Sequence, residues 1–234
     1  MIETAGLVLA TAAFVGTHLA LSHPLRLRLV QNTGEAGFAA LYSIVAILTL
    51  GAMVLAYWSI RISLPMWIAP GWWWPVASAL MLVASILLVG SLFGNPALPM
   101  PGGAKRAMQA PRGVFAITRH PMNWSFALWA LVHISLSWSP RNLIVATGIL
   151  ILAIAGSIGQ DRKKRSTIGK AWLQWEARTS FVPFAALLFR KTPWRSAFPG
   201  WVALGGGLLL WLLATWLHAP SVSRIVTLAG GGLD

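Results

Sequence analysis

The stretch RHPMNWSFALWALVHISLSW, at Arg119–Trp138, is the segment from which the fold and function of this chain can first be inferred. Two cations and a proline precede an apolar run that carries a second histidine, His133. A histidine inside a long apolar segment is costly unless something satisfies its ring nitrogens. His133 is therefore a candidate functional residue, and the question is what it binds.

The composition of the chain is that of a membrane protein. Of its 234 residues, 57% are hydrophobic and 10% are charged, whereas soluble domains carry about 25% charged residues. We predict an all-α, polytopic membrane helix bundle with about six transmembrane helices. The absence of cysteine excludes disulfides and thiolate ligands. The predicted spans are Ala5–Leu21, Phe38–Trp58, Val76–Phe93, Met122–Trp138, Leu143–Ile158 and Trp201–Leu217.

The net charge of +13 follows the membrane topology and does not indicate nucleic-acid binding. With the N-terminus outside, 15 of the 18 Lys and Arg side chains fall in inside segments and 3 fall outside. Positive charge concentrates on the cytoplasmic side of membrane proteins, so both termini are predicted to lie outside. Residues 1–220 then form a single transmembrane domain with cytoplasmic segments 94–120 and 160–199, and residues 221–234 form a polar tail.

The two cytoplasmic segments differ in character. Prolines and paired glycines in Gly94–Gly113 predict an irregular loop rather than a helix. The second segment mixes cations with Ile168, Trp172 and Trp175. This mixture predicts a short amphipathic helix that lies on the anionic inner leaflet, so anionic lipid at the cytoplasmic face is an expected partner.

His18 and His133 are histidines inside apolar spans that offer no carboxylate partner. Two neutral imidazoles on facing helices can hold a b-type haem. Zinc would want further ligands, and the chain has no cysteine and 5 acidic residues. The alternative is that each imidazole forms a hydrogen bond with a neighbouring helix. His23, His120 and His218 lie near the interfaces, where water can satisfy them.

Three blocks of sequence carry a family resemblance. They are VGTHLALS around His18, ITRHPMNWSFALWALVH ending at His133, and GQDRKKRSTIGKAWLQWEARTSFVPFAAL starting at Gly159. In these blocks the chain resembles the NnrU family of bacterial membrane proteins and its plant and cyanobacterial relative, 15-cis-zeta-carotene isomerase. The resemblance implies a multi-pass protein of the bacterial inner (cytoplasmic) membrane, with haem b iron held by His18 and His133. Family members are linked to nitric oxide metabolism and denitrification.

The same resemblance marks one departure and leaves the activity open. The isomerase has a cysteine three residues before its second histidine, where this chain has Ala130. A ligand switch through that cysteine therefore does not carry over. A redox enzyme, an isomerase and a nitrogen-oxide sensor or accessory protein all remain possible, with a lipophilic molecule or a small nitrogen oxide as ligand.

The cytoplasmic mouth of the predicted site contains Arg119 and His120. We expect them to bind haem propionates or another small anion, because the guanidinium fork suits carboxylates. The RHP element is also similar to S-adenosylmethionine-dependent membrane methyltransferases of the isoprenylcysteine and phospholipid type, which use an acidic pair. Here Asp161–Arg162 stands in place of that pair. The cations that follow Asp161 would repel the sulfonium of S-adenosylmethionine. Haem binding is therefore the preferred hypothesis, and methyl transfer is the alternative.

Overall fold

A computed structural model describes residues 2–61, 63–98 and 101–230, with side chains as far as His218. This part of the chain consists of α-helices, one short 3₁₀ helix at Trp194–Ala197 and no β-strand, which confirms the predicted all-α class. The helices are α1 (Ile2–Ser22), α2 (Arg26–Ser59), α3 (Trp73–Ser91), α4 (Gly103–Met108), α5 (Val114–Ile117), α6 (Pro121–Leu136), α7 (Pro140–Ile168), α8 (Lys170–Arg178), α9 (Ala185–Leu188) and α10 (Trp201–Gly230).

Five described helices are long and apolar enough to cross a membrane: α1, α2, α3, α7 and α10 as far as His218. The predicted fourth span corresponds to α6, which has 16 residues. At 1.5 Å per residue α6 covers about 24 Å, less than a hydrocarbon core of about 30 Å. Large apolar side chains such as Leu48, Leu55 and Leu209 remain exposed on the outside of the bundle. The chain is a multi-pass membrane protein.

The long helices pack side by side in the order α2, α1, α7, α6, α3, α10. Helices α7 and α6 therefore occupy the middle of the bundle, while α2 and α10 lie at its two ends. The contact between α3 and α10 is closest at Gly207, where a Cβ atom would lie 2.7 Å from the Cα of Ile86. Glycine allows two membrane helices to approach at this distance.

Helix α6 is held by its neighbours through polar as well as apolar contacts. The Asn123 amide donates to the Ser157 hydroxyl of α7 at 2.8 Å. On the other side, the Trp73 indole of α3 donates to the Ser135 hydroxyl at 2.9 Å. Beyond the end of α6, the extended backbone of Trp138 exchanges hydrogen bonds with residues 66 and 67 of the α2–α3 connection. This connection closes the outer end of the short helix.

The face that carries the cationic segments, the inner face by the charge argument, is capped by α8. The predicted amphipathic helix exists, but its apolar side is covered by protein and not by lipid. Trp172 is 0% exposed and Trp175 is 3% exposed, and they pack against Val114 and Phe115 of α5. The Gly94–Gly113 loop, predicted to lack helix, contains the short helix α4.

Several helices extend past their predicted ends. Helix α7 continues through the charged run to Ile168, and α10 continues to Gly230. The polar tail predicted at residues 221–234 is therefore helical through Gly230. Its last residues, 231–234, and residues 99 and 100 of the first segment predicted to be cytoplasmic lie outside the described residues.

Candidate functional site

A buried ion network joins the start of α6 to the inner end of α7. The Arg119 guanidinium donates from Nε and Nη2 to the Asp161 carboxylate over 2.7–3.1 Å. It also lies 3.7 Å from Glu176 on α8 and 5.6 Å from the centre of the Phe181 ring. Only 11% of the Arg119 side chain and 6% of the Asp161 side chain is exposed. A forked ion pair in such surroundings fixes the two helices relative to each other.

His120 belongs to the same network, and its side chain is 0% exposed. Its Nε2 donates to the Asp161 carboxylate at 2.9 Å, and its Nδ1 lies 3.1 Å from the side-chain amide oxygen of Gln160. The Thr118 hydroxyl accepts the backbone N–H of His120, and Pro121 begins α6 immediately afterwards. The local backbone therefore holds the ring at the entrance of the helix. An oxygen atom therefore lies within hydrogen-bond distance of each ring nitrogen.

The structure brings Arg119 and His120 together. The groups that they contact are side chains of the protein itself. Both side chains face the carboxylate of Asp161, a residue that the sequence analysis did not treat as part of the site. A signal for it was present, because Asp161 and Glu176 are two of 5 acidic residues in a chain with 18 Lys and Arg. In such a chain a carboxylate next to an apolar span is expected to find a cation.

A cavity of about 370 Å³ lies between α1, α2, α6 and α7, and we call it the histidine cavity. Its walls are aliphatic and aromatic with a few polar groups, and its size is within the range of small-molecule and cofactor sites. The lining residues are Phe14, His18, Leu19, Ser22, His23, Tyr42, Asn123, Phe126, Ile149, Leu152, Ala153, Gly156, Gln160 and Lys163.

His18 lies in the wall of this cavity on the last turns of α1. Its Nδ1 donates to the backbone carbonyl of Phe14 at 2.8 Å, which places the free lone pair on Nε2. Among the described residues Nε2 has no hydrogen-bond partner. The ring is flanked by Phe14 and by Tyr42, with ring centres 4.2 and 5.4 Å away. A backbone carbonyl that orients the far nitrogen is the usual support of a metal-ligating histidine.

The structure places a second histidine, His23, in the same cavity. Its Nδ1 atom is buried and has no hydrogen-bond partner among the described residues. The ring packs against Gly159 of α7, where a Cβ atom would overlap it. Burial, with a smaller contribution from the nearby Lys163 cation, lowers the pKa of His23 below its ordinary value. The neutral imidazole is therefore favoured, and this is the form that binds metals.

His133 has the same local geometry as His18 but a different location. Its Nδ1 donates to the carbonyl of Trp129 at 2.8 Å, and the two rings stack with centres 4.2 Å apart. Its nearest described histidine is His218 of α10, at 6.4 Å between ring centres. The sequence analysis regarded His218 as an interfacial residue without a partner of this kind.

His133 is not among the residues that line the histidine cavity, in whose wall His18 lies. Phe126 lies in the wall of the histidine cavity, and His133 follows it by about 10 Å along the α6 axis. Two imidazoles that ligate one iron must approach it from opposite sides at bonding distance. Ligation of one iron by both rings stays a prediction, and His18 is the member of the pair that lines a cavity of suitable size. Among the described residues no group of three or more His, Cys, Asp or Glu side chains could hold a metal ion.

The helical bundle and its apolar surface define an all-α, multi-pass membrane protein. The chain belongs to the NnrU family, described as NnrU protein, whose model matches residues 6–224. This confirms the family resemblance seen in the sequence. The chain is also similar to 15-cis-zeta-carotene isomerase, chloroplastic, of Zea mays, with 32% identity over 78 residues. The match covers 32% of this chain and 21% of the relative, about a fifth of its length. No solved structure matches the chain.

Proposed function

We propose that this NnrU-family protein binds a b-type haem in the histidine cavity, with His18 as an axial ligand. The observation that carries the proposal is the Nδ1–H···O=C bond from His18 to Phe14, which leaves Nε2 available in an otherwise apolar wall. Imidazole nitrogen is a common axial ligand of haem iron. Lys163 lies in the wall of the cavity and would offset the negative charge of the propionates. Arg119 and His120 support the cavity from outside through Asp161.

The second axial ligand is the less constrained part of the proposal. The family resemblance favours His133, and the geometry of the cavity favours His23, which has a buried Nδ1 without a partner. His23 lines the same cavity as His18, whereas His133 is not among the lining residues.

Haem in this cavity would supply an iron that changes oxidation state and binds a small ligand such as a nitrogen oxide. The apolar walls at Phe14, Phe126 and Leu152 would exclude water from it. The Zea mays relative is named as an isomerase, and a lipophilic substrate is the corresponding possibility here. Because Ala130 occupies the position of its cysteine, an isomerase reaction in this protein would depend on the histidine ligands alone.

The cellular setting belongs to the same proposal. We place the protein in the bacterial inner membrane with both termini outside, because 15 of 18 Lys and Arg side chains then face the cytoplasm. In this orientation His18 and Lys163 lie near the cytoplasmic side. Haem would enter the cavity from that side or from the surrounding lipid.

An absorption spectrum of the full chain, purified in detergent after expression with added haem precursor, tests the proposal. We expect a Soret band with sharp reduced α and β bands. His18→Ala should give a five-coordinate or haem-free protein, while His218→Ala, the matched control, should keep the spectrum. Loss of the low-spin spectrum in His133→Ala or in His23→Ala identifies the second ligand.

Two outcomes would contradict the proposal. One is a protein that remains colourless after reconstitution with haemin, and the other is an unchanged low-spin spectrum in His18→Ala. A colourless protein that bound S-adenosylmethionine would support the methyltransferase alternative. The paired state of Arg119 and His120 with Asp161 disfavours that alternative, because the RHP groups that would contact the cofactor are already engaged.

A further inference from the structure

A groove of about 570 Å³ runs along the surface between the inner end of α1, the start of α2 and α7. It lies next to the histidine cavity, and His23 and Lys163 form part of both walls. We call it the inner groove. Unlike the histidine cavity, it is bordered by the exposed cation Arg162 and by Arg26.

The inner groove has an apolar part and a cationic part, and the two follow one another along α7. Ala155 and Ile158 line its membrane side, together with Leu19 of α1. Arg162 and Ser166 follow one and two turns later on the same face of α7, since residues three and four apart are neighbours on a helix. From Ala155 to Ser166 the helix rises about 16 Å. The groove therefore passes from hydrocarbon depth to headgroup depth.

The positive charge of the groove is not balanced by the protein. Arg26 is paired with Glu35 at 2.8 Å, but the Glu35 side chain is 68% exposed and lies on the solvent side. Arg162 has no ion pair or hydrogen bond among the described residues. The Lys163 ammonium is half-buried, and its nearest described acceptor is the Ser22 carbonyl at 3.5 Å. A partly buried cation without a carboxylate partner, such as Lys163, is costly, and together with the exposed Arg162 it favours an anion in the groove.

We propose that the inner groove binds one anionic phospholipid. Its phosphodiester would lie between Arg26 and Arg162, and its acyl chain would follow Leu19 and Ile158 towards the membrane interior. An amphiphile fits because the cations and the apolar wall are parts of one continuous groove. A free phosphate would use the cations and leave the apolar part empty. This site is separate from the haem proposal, since neither arginine lines the histidine cavity.

Native mass spectrometry of the full chain, released from micelles containing equal amounts of phosphatidylglycerol and phosphatidylcholine, tests the proposal. We expect retained phosphatidylglycerol on the wild-type protein. The double variant Arg26→Gln/Arg162→Gln should reduce retention about 30-fold, as expected for the loss of two cations near an anionic headgroup. Lys170→Gln, which removes an exposed cation of the same face outside the groove, should change retention less than twofold.

A second variant separates a lipid from a free anion. Ala155→Trp fills the apolar part without changing charge, and it should also lower phosphatidylglycerol retention. Equal retention of both lipids by the wild type, or full retention by the double arginine variant, would overturn the proposal. Displacement of the lipid by inorganic phosphate, with no effect of Ala155→Trp, would show a phosphate site instead. We expect the absorption spectrum of the double arginine variant to be unchanged. A loss of lipid can then be distinguished from a loss of haem.

Discussion

Replacing Asp161 with Asn should destabilise the protein more than any single change at an exposed ion pair. The carboxylate accepts from two nitrogens of Arg119 and from Nε2 of His120, and 6% of its side chain is exposed. Asn keeps the shape but removes the charge, so the guanidinium is left with Glu176 at 3.7 Å. Removing one partner of a buried pair costs about 3–5 kcal/mol. The remaining contact to Glu176 favours the lower end, about 3 kcal/mol.

The free energy of unfolding can be measured by titrating mixed micelles with dodecyl sulfate and following tryptophan fluorescence, which 14 tryptophans make strong. The matched control is Glu35→Gln, which removes the carboxylate of the Arg26 pair. That pair is exposed, and such pairs contribute about 0–1 kcal/mol. If Asp161→Asn cost less than about 1 kcal/mol and matched Glu35→Gln, the network would not hold α6 to α7 as we argue.

Two glycine substitutions test close contacts in the structure, and each has a control at a glycine with open space around it. Gly159→Ala places a methyl group inside the ring of His23 and should displace that ring, which would alter the spectrum of bound haem if His23 is a ligand. Gly51→Ala is its control, because a Cβ atom there would meet no atom within 4 Å and Gly51 does not line the histidine cavity, and equal spectra would argue against the contact. Gly207→Leu should separate α3 from α10 and lower stability by about 1–3 kcal/mol, as overpacking does. A Cβ atom at Gly205 would meet no atom within 4 Å, so Gly205→Leu should cost less. An equal loss of stability in the thermal unfolding of the two variants would count against the packing.

The spans were predictable because a membrane imposes one requirement on every segment that crosses it. Hydropathy located α1, α3 and α10 to within a few residues at their starts. It failed at the inner end of α7, where the helix continues past Asp161 into a charged run. The reason is tertiary: the carboxylate of Asp161 is satisfied by Arg119 and His120, and no pattern within α7 reveals those partners.

An amphipathic pattern predicts a helix, but it does not reveal whether lipid or protein covers the apolar side of that helix. Trp172 and Trp175 predicted α8 correctly, but the choice between lipid and protein depends on α5, which is far away in sequence. The candidate site has the same limit. His18 was identifiable because a histidine in an apolar span needs a partner. Its cavity neighbour Lys163 is far away in sequence, and which histidines line that cavity depends on how α1 and α6 pack around α7.

The short length of α6 has a consequence for how the chain enters the membrane during synthesis. A 16-residue segment that contains Asn123 and His133 is a weak insertion signal by itself. Asn123 donates to Ser157 of α7, and Ser135 accepts from Trp73 of α3, so one of the two partner helices is made before α6 and the other after it. A nascent chain that stops after α6 lacks half of those surroundings. Stable insertion of α6 therefore waits until α7 has left the ribosome.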